Sequence, residues 1–184
     1  VKEVLSRVSH LFDDILDMSE IESSEMIFEY VSLNCNQVLK STYNRLKQRA
    51  DKKGIELVLE LSENELVIKT DWMKLEKIVY AIAENAIKYT MQGKVVLRSF
   101  VFSKFAYITI TDTGDGMNQE DIKYLLEPFS QEEQGYTRKY QGAGLGLAIA
   151  SKLTKMMGGL FEIVSRKQTG TKVTLIFPVV KINS

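Results

Sequence analysis

The 184-residue sequence predicts an α/β fold: a two-layer sandwich with a mixed sheet and helices on one face, preceded by a bundle-forming α-helix. Three observations lead there. Segments of helical and strand period are interleaved along the chain instead of being sorted into halves. Strand-like runs are joined by short turns such as Ser103-Lys104, which marks hairpins. A long apolar stripe of helical spacing stands ahead of all of them.

That stripe occupies residues 1–24. Val1, Leu5, Val8, Phe12 and Ile15 recur at alternating spacings of four and three, and Val4, Leu11, Leu16 and Met18 widen the face. One helix cannot bury such a stripe alone. It either docks onto its own domain or forms half of a dimeric bundle, and its width and position favour the bundle. Residues 25–184 are then the globular domain.

Within that domain, 29–33 reads as a short strand. Residues 34–52 form an amphipathic helix with Val38, Leu39, Tyr43, Leu46 and Ala50 on one side, Asn34 or Asn36 as N-cap, and Lys52-Lys53-Gly54 as the stop. Residues 55–61 alternate as a strand, with 65–69 as the expected hairpin partner. Asp71 is the N-cap of a helix over 72–89. Strands follow at 94–102 and 105–111. A short helix over 119–127 is stopped by Pro128. Residues 130–141 are polar and without period, and a helix over 145–157 ends at Gly158-Gly159. Strands at 160–165 and 171–178 close the chain.

Composition narrows the function. Twenty-four basic and 24 acidic residues cancel, which argues against a dedicated nucleic-acid surface. A single cysteine, Cys35, cannot form an intrachain disulfide, so a reducing, cytoplasmic compartment is expected. No run approaches the roughly 18 apolar residues of a membrane helix, so these residues are expected to make no membrane contact. Because the sequence begins at Val1, a longer parent is expected, with any anchor outside these residues.

Three sparse motifs fall in one order. On the helix 72–89, Leu75, Ile78, Val79, Ile82 and Ala86 make the buried stripe and Asn85 lies at its edge. An amide oxygen there suits magnesium, Mg2+, which takes few protein ligands and completes its shell with water and phosphate oxygens. Lys88, one turn on, can reach a phosphate as a point charge. Asp112 ends the strand in which Ala106, Ile108 and Ile110 alternate with Tyr107, Thr109 and Thr111. A carboxylate accepts from the exocyclic amine of adenine and repels the oxygen that guanine carries in its place. Gly114 and Gly116 let the backbone approach a flat base.

Downstream, Gly142-Ala143-Gly144-Leu145-Gly146-Leu147 opens a helix, whose N-terminal amides and dipole favour phosphate oxygens. No Gly-Lys-Ser/Thr follows, so it is not a P-loop. A polar loop precedes it where a dinucleotide fingerprint needs a strand. That loop carries Arg138 and Lys139, two cations able to swing onto a terminal phosphate as part of a lid. A lone Asp-Gly turn or glycine run is commonplace; the ordered set points to a pocket for Mg2+-bound ATP.

These residues resemble the catalytic and ATP-binding part of a sensor histidine kinase. Asn85-Ala86-Ile87-Lys88-Tyr89-Thr90 looks like the family's N box, Asp112-Thr113-Gly114-Asp115-Gly116-Met117 its G1 box, Glu127-Pro128-Phe129-Ser130-Gln131 its F box, and 142–147 its G2 box. Residues 14–22 resemble the end of the second helix of the dimerisation and phosphotransfer domain. The resemblance implies a Bergerat-type ATP-binding fold. In it Asn85 binds magnesium, Lys88 and Tyr89 lie near the phosphates, and Asp112 holds the adenine. Gly114, Gly116, Gly144 and Gly146 shape the walls, Phe129 packs at the base of the lid, and Thr171 supports the adenine contact, often through water. It further implies transfer of the ATP γ-phosphoryl group to a histidine, then to an aspartate on the receiver domain of a response regulator. The partners are that domain and the chain's own dimerisation helices, in a homodimeric parent.

Three departures stand out. The sole histidine, His10, lacks the Arg-x-Pro continuation of an H box and reads as a bundle surface residue, so the acceptor is expected on a first bundle helix outside these residues. Ala81 stands where the family usually has Asn or another polar residue. Asp115-Gly116-Met117-Asn118 replaces the usual Ile and Pro. Two rivals remain: an ATP-driven clamp of the chaperone, topoisomerase or mismatch-repair kind, which usually carries a glutamate base where this chain has Ala81, and a non-catalytic sensor that binds nucleotide only as a regulator.

Overall fold

Capping and periodicity fix the helices, and the helices fix where the strands can lie. The computed structural model describes residues 26–126 and 144–180, together with positions 16, 18–21 and 23. In chain order the elements are β1 (Tyr30–Asn34), α1 (Cys35–Lys53), β2 (Glu56–Glu60), β3 (Val67–Asp71), α2 (Trp72–Tyr89), β4 (Lys94–Phe102), β5 (Phe105–Asp112), α3 (Gln119–Leu126), α4 (Gly144–Met156), β6 (Leu160–Arg166) and β7 (Gly170–Pro178).

The main sheet has the order β2-β4-β5-β7-β6, with β2 parallel to β4 and the other neighbours antiparallel. Alternation along its strands sends Val95, Leu97, Ala106, Ile108, Ile110, Val173, Leu175 and Phe177 to the core. Helices α1 and α2 pack on β4, α2 also on β5, and α4 on β6, so the second layer is helical. The two-layer expectation holds.

Helix α1 starts where Asn34 Oδ1 accepts from Asn36 N at 3.0 Å and ends at Gly54, whose φ of 74° is the left-handed stop that glycine adopts without strain. Helix α2 starts at Asp71, whose Oδ1 accepts from Lys74 N at 3.0 Å and whose Oδ2 accepts from Glu29 N at 2.9 Å. Its five predicted core residues are all buried. At its far end Thr90 Oγ1 donates to Ala86 O at 2.8 Å, and Lys53 Nζ donates to the carbonyls of Ile87 and Lys88 at 2.7 and 2.6 Å. The last turn of α2 is thereby held by a side chain from α1.

One expectation fails. The segment 65–69 does not form a hairpin with β2. Strand β3 pairs antiparallel with β1 in a separate two-stranded sheet, and β2 runs parallel to β4 across the α2 crossover. The connecting chain is pinned away from β2. Ser62 N donates to Ser99 Oγ at 3.1 Å, Asn36 Nδ2 to Ser62 O at 3.1 Å, and Cys35 N to Leu66 O at 2.9 Å. A parallel pair needs a long crossover, and α2 supplies it.

The described positions between 16 and 23 are helical. Met18 and Ile21 are buried in the domain's core cluster, and Glu20 Oε2 lies 4.0 Å from Lys74 Nζ, while Leu16 is 58% exposed. This end of the helix therefore docks partly onto its own domain, which the stripe's width argued against. The rest of the stripe, and His10, lie outside the described residues. Among the described residues no helix is long and apolar enough to cross a membrane.

Candidate functional site

Strand register brings Asp112, Thr171 and Ser165 into one row across β5, β7 and β6. Asp112 and Thr171 share strand parity with the core residues of β5 and β7, so this row lies on the helix side of the sheet. Asp112 is 8% exposed. Its Oδ1 accepts from Gly114 N at 2.8 Å and from Thr171 N at 3.2 Å, and no described hydrogen bond uses Oδ2. Burial raises the pKa of this carboxyl above the ordinary aspartate value, and the two amides work against that rise.

The loop after β5 is clasped from two sides. A Cβ on Gly114 would stand 2.5 Å from Tyr89 O and 3.0 Å from Asp112 Oδ1, so only glycine fits between the strand end and the C-terminus of α2. Asp115 N reaches Tyr89 O at 3.4 Å, and Gln168 N donates to Asp115 O at 2.6 Å. Gly116, at φ 61°, takes a left-handed turn against the Arg166 carbonyl. Asp115 itself faces solvent, and Met117 is half-buried with its N–H on Ser165 Oγ at 2.8 Å.

Asn85 is half-buried on α2, one turn before Tyr89. A Cβ built on Gly146 would lie 3.7 Å from Asn85 Nδ2, so the asparagine and the first turn of α4 are neighbours. Amide oxygen and nitrogen exchange places by a half-turn of the side chain. Lys88 is exposed, its Nζ 5.0 Å from the centre of the half-buried Tyr89 ring. Ala81 is half-buried, and Glu84 turns toward α1, paired with Arg49.

Three motifs distant in sequence thus share one corner. Gly144 opens α4, as expected; Leu147 is buried in the core, so it can serve a ligand only through its backbone. Phe129, Arg138, Lys139, Gly142 and Ala143 lie outside the described residues, and of Leu145 only the helical backbone is described. Sequence reasoning missed Ser165, which becomes visible only once the β6–β7 register is known, and Lys53, which read merely as part of a helix stop. A shallow depression of about 320 Å³, lined by Glu60, Arg98, Thr111 and Lys172 among others, lies on the open face of the sheet, away from this corner.

The corner fits ATP and Mg2+ by its chemistry. A desolvated carboxylate with one oxygen used by no described hydrogen bond suits an amine donor, and a single half-buried amide suits a cation that takes its remaining ligands from phosphate and water. Among the described residues no group of three His, Cys, Asp or Glu side chains is placed to hold a metal unaided. Fold and corner together define a class, an α/β domain for an adenine nucleotide. Residues 70–181, more than half of the chain, match the family model described as Histidine kinase-, DNA gyrase B-, and HSP90-like ATPase, and the chain belongs to that family as a histidine-kinase catalytic ATP-binding domain.

The autoinducer 2 sensor kinase/phosphatase LuxQ of Vibrio parahaemolyticus is 31% identical over 176 residues, covering 92% of this chain and 20% of its own. The solved structure of full-length ShkA in complex with AMPPNP is 26% identical with a TM-score of 0.81, covering 99% of this chain and 37% of that one. The histidine kinase ThkA, solved in complex with the response regulator protein TrrA, is 20% identical with a TM-score of 0.76, covering 97% and 49%; that likeness is one of fold. The chain spans about a fifth of the length of the curated relatives it matches.

Proposed function

We propose that this chain binds Mg2+·ATP between Asn85 and Asp112 and serves as the catalytic domain of a sensor histidine kinase. One observation carries the reading: a buried carboxylate, half saturated by backbone amides, shares a corner with an asparagine set against the glycine-rich start of a helix. Asp112 Oδ2 accepts from the adenine amine. The peptide planes at Gly114 and Gly116 leave room for the base. Lys88, with Arg138 and Lys139, supplies positive charge to the phosphates. Asn85 holds the magnesium, which when bound neutralises phosphate charge and orients the terminal group.

The phosphoryl acceptor in this reading is a histidine on a helix of the dimerisation and phosphotransfer domain, and the onward acceptor is an aspartate of a response-regulator receiver domain. A homodimeric, cytoplasmic kinase module is the setting. A transfer of this kind depends mainly on positioning and charge neutralisation, and a neutral imidazole attacks through its own lone pair. Ala81 is compatible with that. A hydrolytic clamp needs a base for water; Glu84, the nearest carboxylate in sequence, is instead paired with Arg49 of α1.

The deciding experiment supplies, in trans, a helical hairpin with an intact H box together with Mg2+ and γ-labelled ATP. Acid-labile phosphohistidine is expected. Steady phosphate release without it would instead indicate the clamp ATPase, and neither product would indicate a regulatory nucleotide sensor.

A further inference from the structure

Ser165 is an unexpected hub. It is buried, at 8% exposure, and makes three contacts with Oγ: it accepts from Met117 N at 2.8 Å, reaches Gly170 O at 3.0 Å, and lies 2.8 Å from Thr171 Oγ1. A serine hydroxyl has one hydrogen and two lone pairs. The Met117 amide can only donate, so it takes one lone pair. The Gly170 carbonyl can only accept, so it takes the hydrogen. The remaining lone pair then requires Thr171 to donate its own hydroxyl hydrogen to Ser165. What Thr171 has left for anything beyond Ser165 is acceptor capacity alone.

We infer that Ser165 is a specificity-determining positioning residue: by drawing the Thr171 hydroxyl hydrogen to itself, it makes the Asp112–Thr171 edge of the site an acceptor-only surface. This deepens the nucleotide reading and rests on it. An acceptor-only edge favours a purine with an amine at its sixth position when the two meet directly, since a bridging water could donate to an acceptor on either side. It repels a purine with an oxygen there, because two acceptors face each other in a desolvated setting. Register strengthens the case. Ser165 and Asp112 flank Thr171 on either side in the same row, so the threonine backbone is oriented by its N–H on Asp112 while its side chain is oriented by Ser165.

Loss of Ser165 frees the Thr171 hydroxyl to rotate and donate. The test compares ATP with inosine triphosphate, which carries an oxygen in place of the amine and, as its lactam, an N–H in place of the lone pair at the neighbouring ring nitrogen. Affinities are measured by calorimetry with Mg2+ for the parent chain and for Ser165→Ala, with melting curves to check that both are folded. Ser165→Ala is expected to lower the ATP-to-ITP affinity ratio about tenfold, through weaker ATP binding and unchanged or tighter ITP binding. If both nucleotides weaken by the same factor and the ratio stays within about twofold of the parent's, Ser165 is only structural and the inference is wrong. If the parent itself does not distinguish ATP from ITP, the adenine reading at Asp112 fails first, and this inference with it. Should Ser165→Ala not fold, Ser165→Cys, near in shape but a weak donor and acceptor, carries the same measurement with the same expected direction.

Discussion

Asp112 is held under two opposed demands. Burial disfavours its charge, and the reading above needs that charge to meet an amine. Its folded pKa lies above the unfolded value, so between the two the folded state binds more protons, and the stability owed to this group falls as pH rises through that window. At neutral pH the carboxylate is therefore a cost in the empty protein. Asp112→Asn is expected to leave the melting temperature at pH 7 unchanged or raised, while weakening ATP by about 1.5–3 kcal/mol, the range for a bond to a charged group. Calorimetric titrations at falling pH should show the parent losing ATP affinity above the usual carboxylate range, and the variant should lack that step. A variant that melts lower yet binds ATP normally would reverse both assignments.

At the scale of elements, Gly146 on α4 separates packing from function. A Cβ at this position would meet Asn85 Nδ2 at 3.7 Å, an ordinary contact, so Gly146→Ala has room in the fold. Alanine inside a helix is worth roughly 0.5–1 kcal/mol over glycine. The variant is expected to melt at the same temperature or higher and to bind Mg2+·ATP about tenfold more weakly, because the methyl occupies space beside the amide proposed to hold the metal. Equal affinity in magnesium titrations would show that nothing binds between α2 and α4.

The elements also show how far sequence reasoning reaches. Asn34, Asp71 and Gly54 announce helix ends through local chemistry, and the stripe on α2 announces its buried face, so these were legible, as were the places of Asn85 at the edge of that stripe and of Asp112 at a strand end. The partner of β3 was not. Period-two alternation says that a segment is a strand but is silent about its neighbour, which here is decided by bonds between residues as far apart as Ser62 and Ser99. Ser165 was hidden for the same reason: its three contacts lie on the neighbouring strand β7, at Gly170 and Thr171, and in the β5–α3 loop.

Across the whole molecule, the helical layer links the site to the core. Lys53 of α1 holds the last carbonyls of α2, the same turn whose Tyr89 carbonyl abuts the Asp112–Gly116 loop, and Cys35 opens α1 at the far end. Cys35 has no exposed surface, and burial pushes its thiol up to about 12. The thiolate is the reactive form, so a folded chain gives a labelling reagent neither access nor nucleophile. Labelling then reports opening of the shared core. A ligand that binds only the folded state stabilises it by about 2.7 kcal/mol at a hundredfold excess over Kd, which is about a hundredfold in the open population. Mg2+·ATP at that excess is expected to slow Cys35 modification about a hundredfold while opening and closing remain fast relative to the chemistry. A rate indifferent to nucleotide would mean that α1 opens without disturbing the Asp112 corner, and that the coupling through Lys53 carries no energy between them.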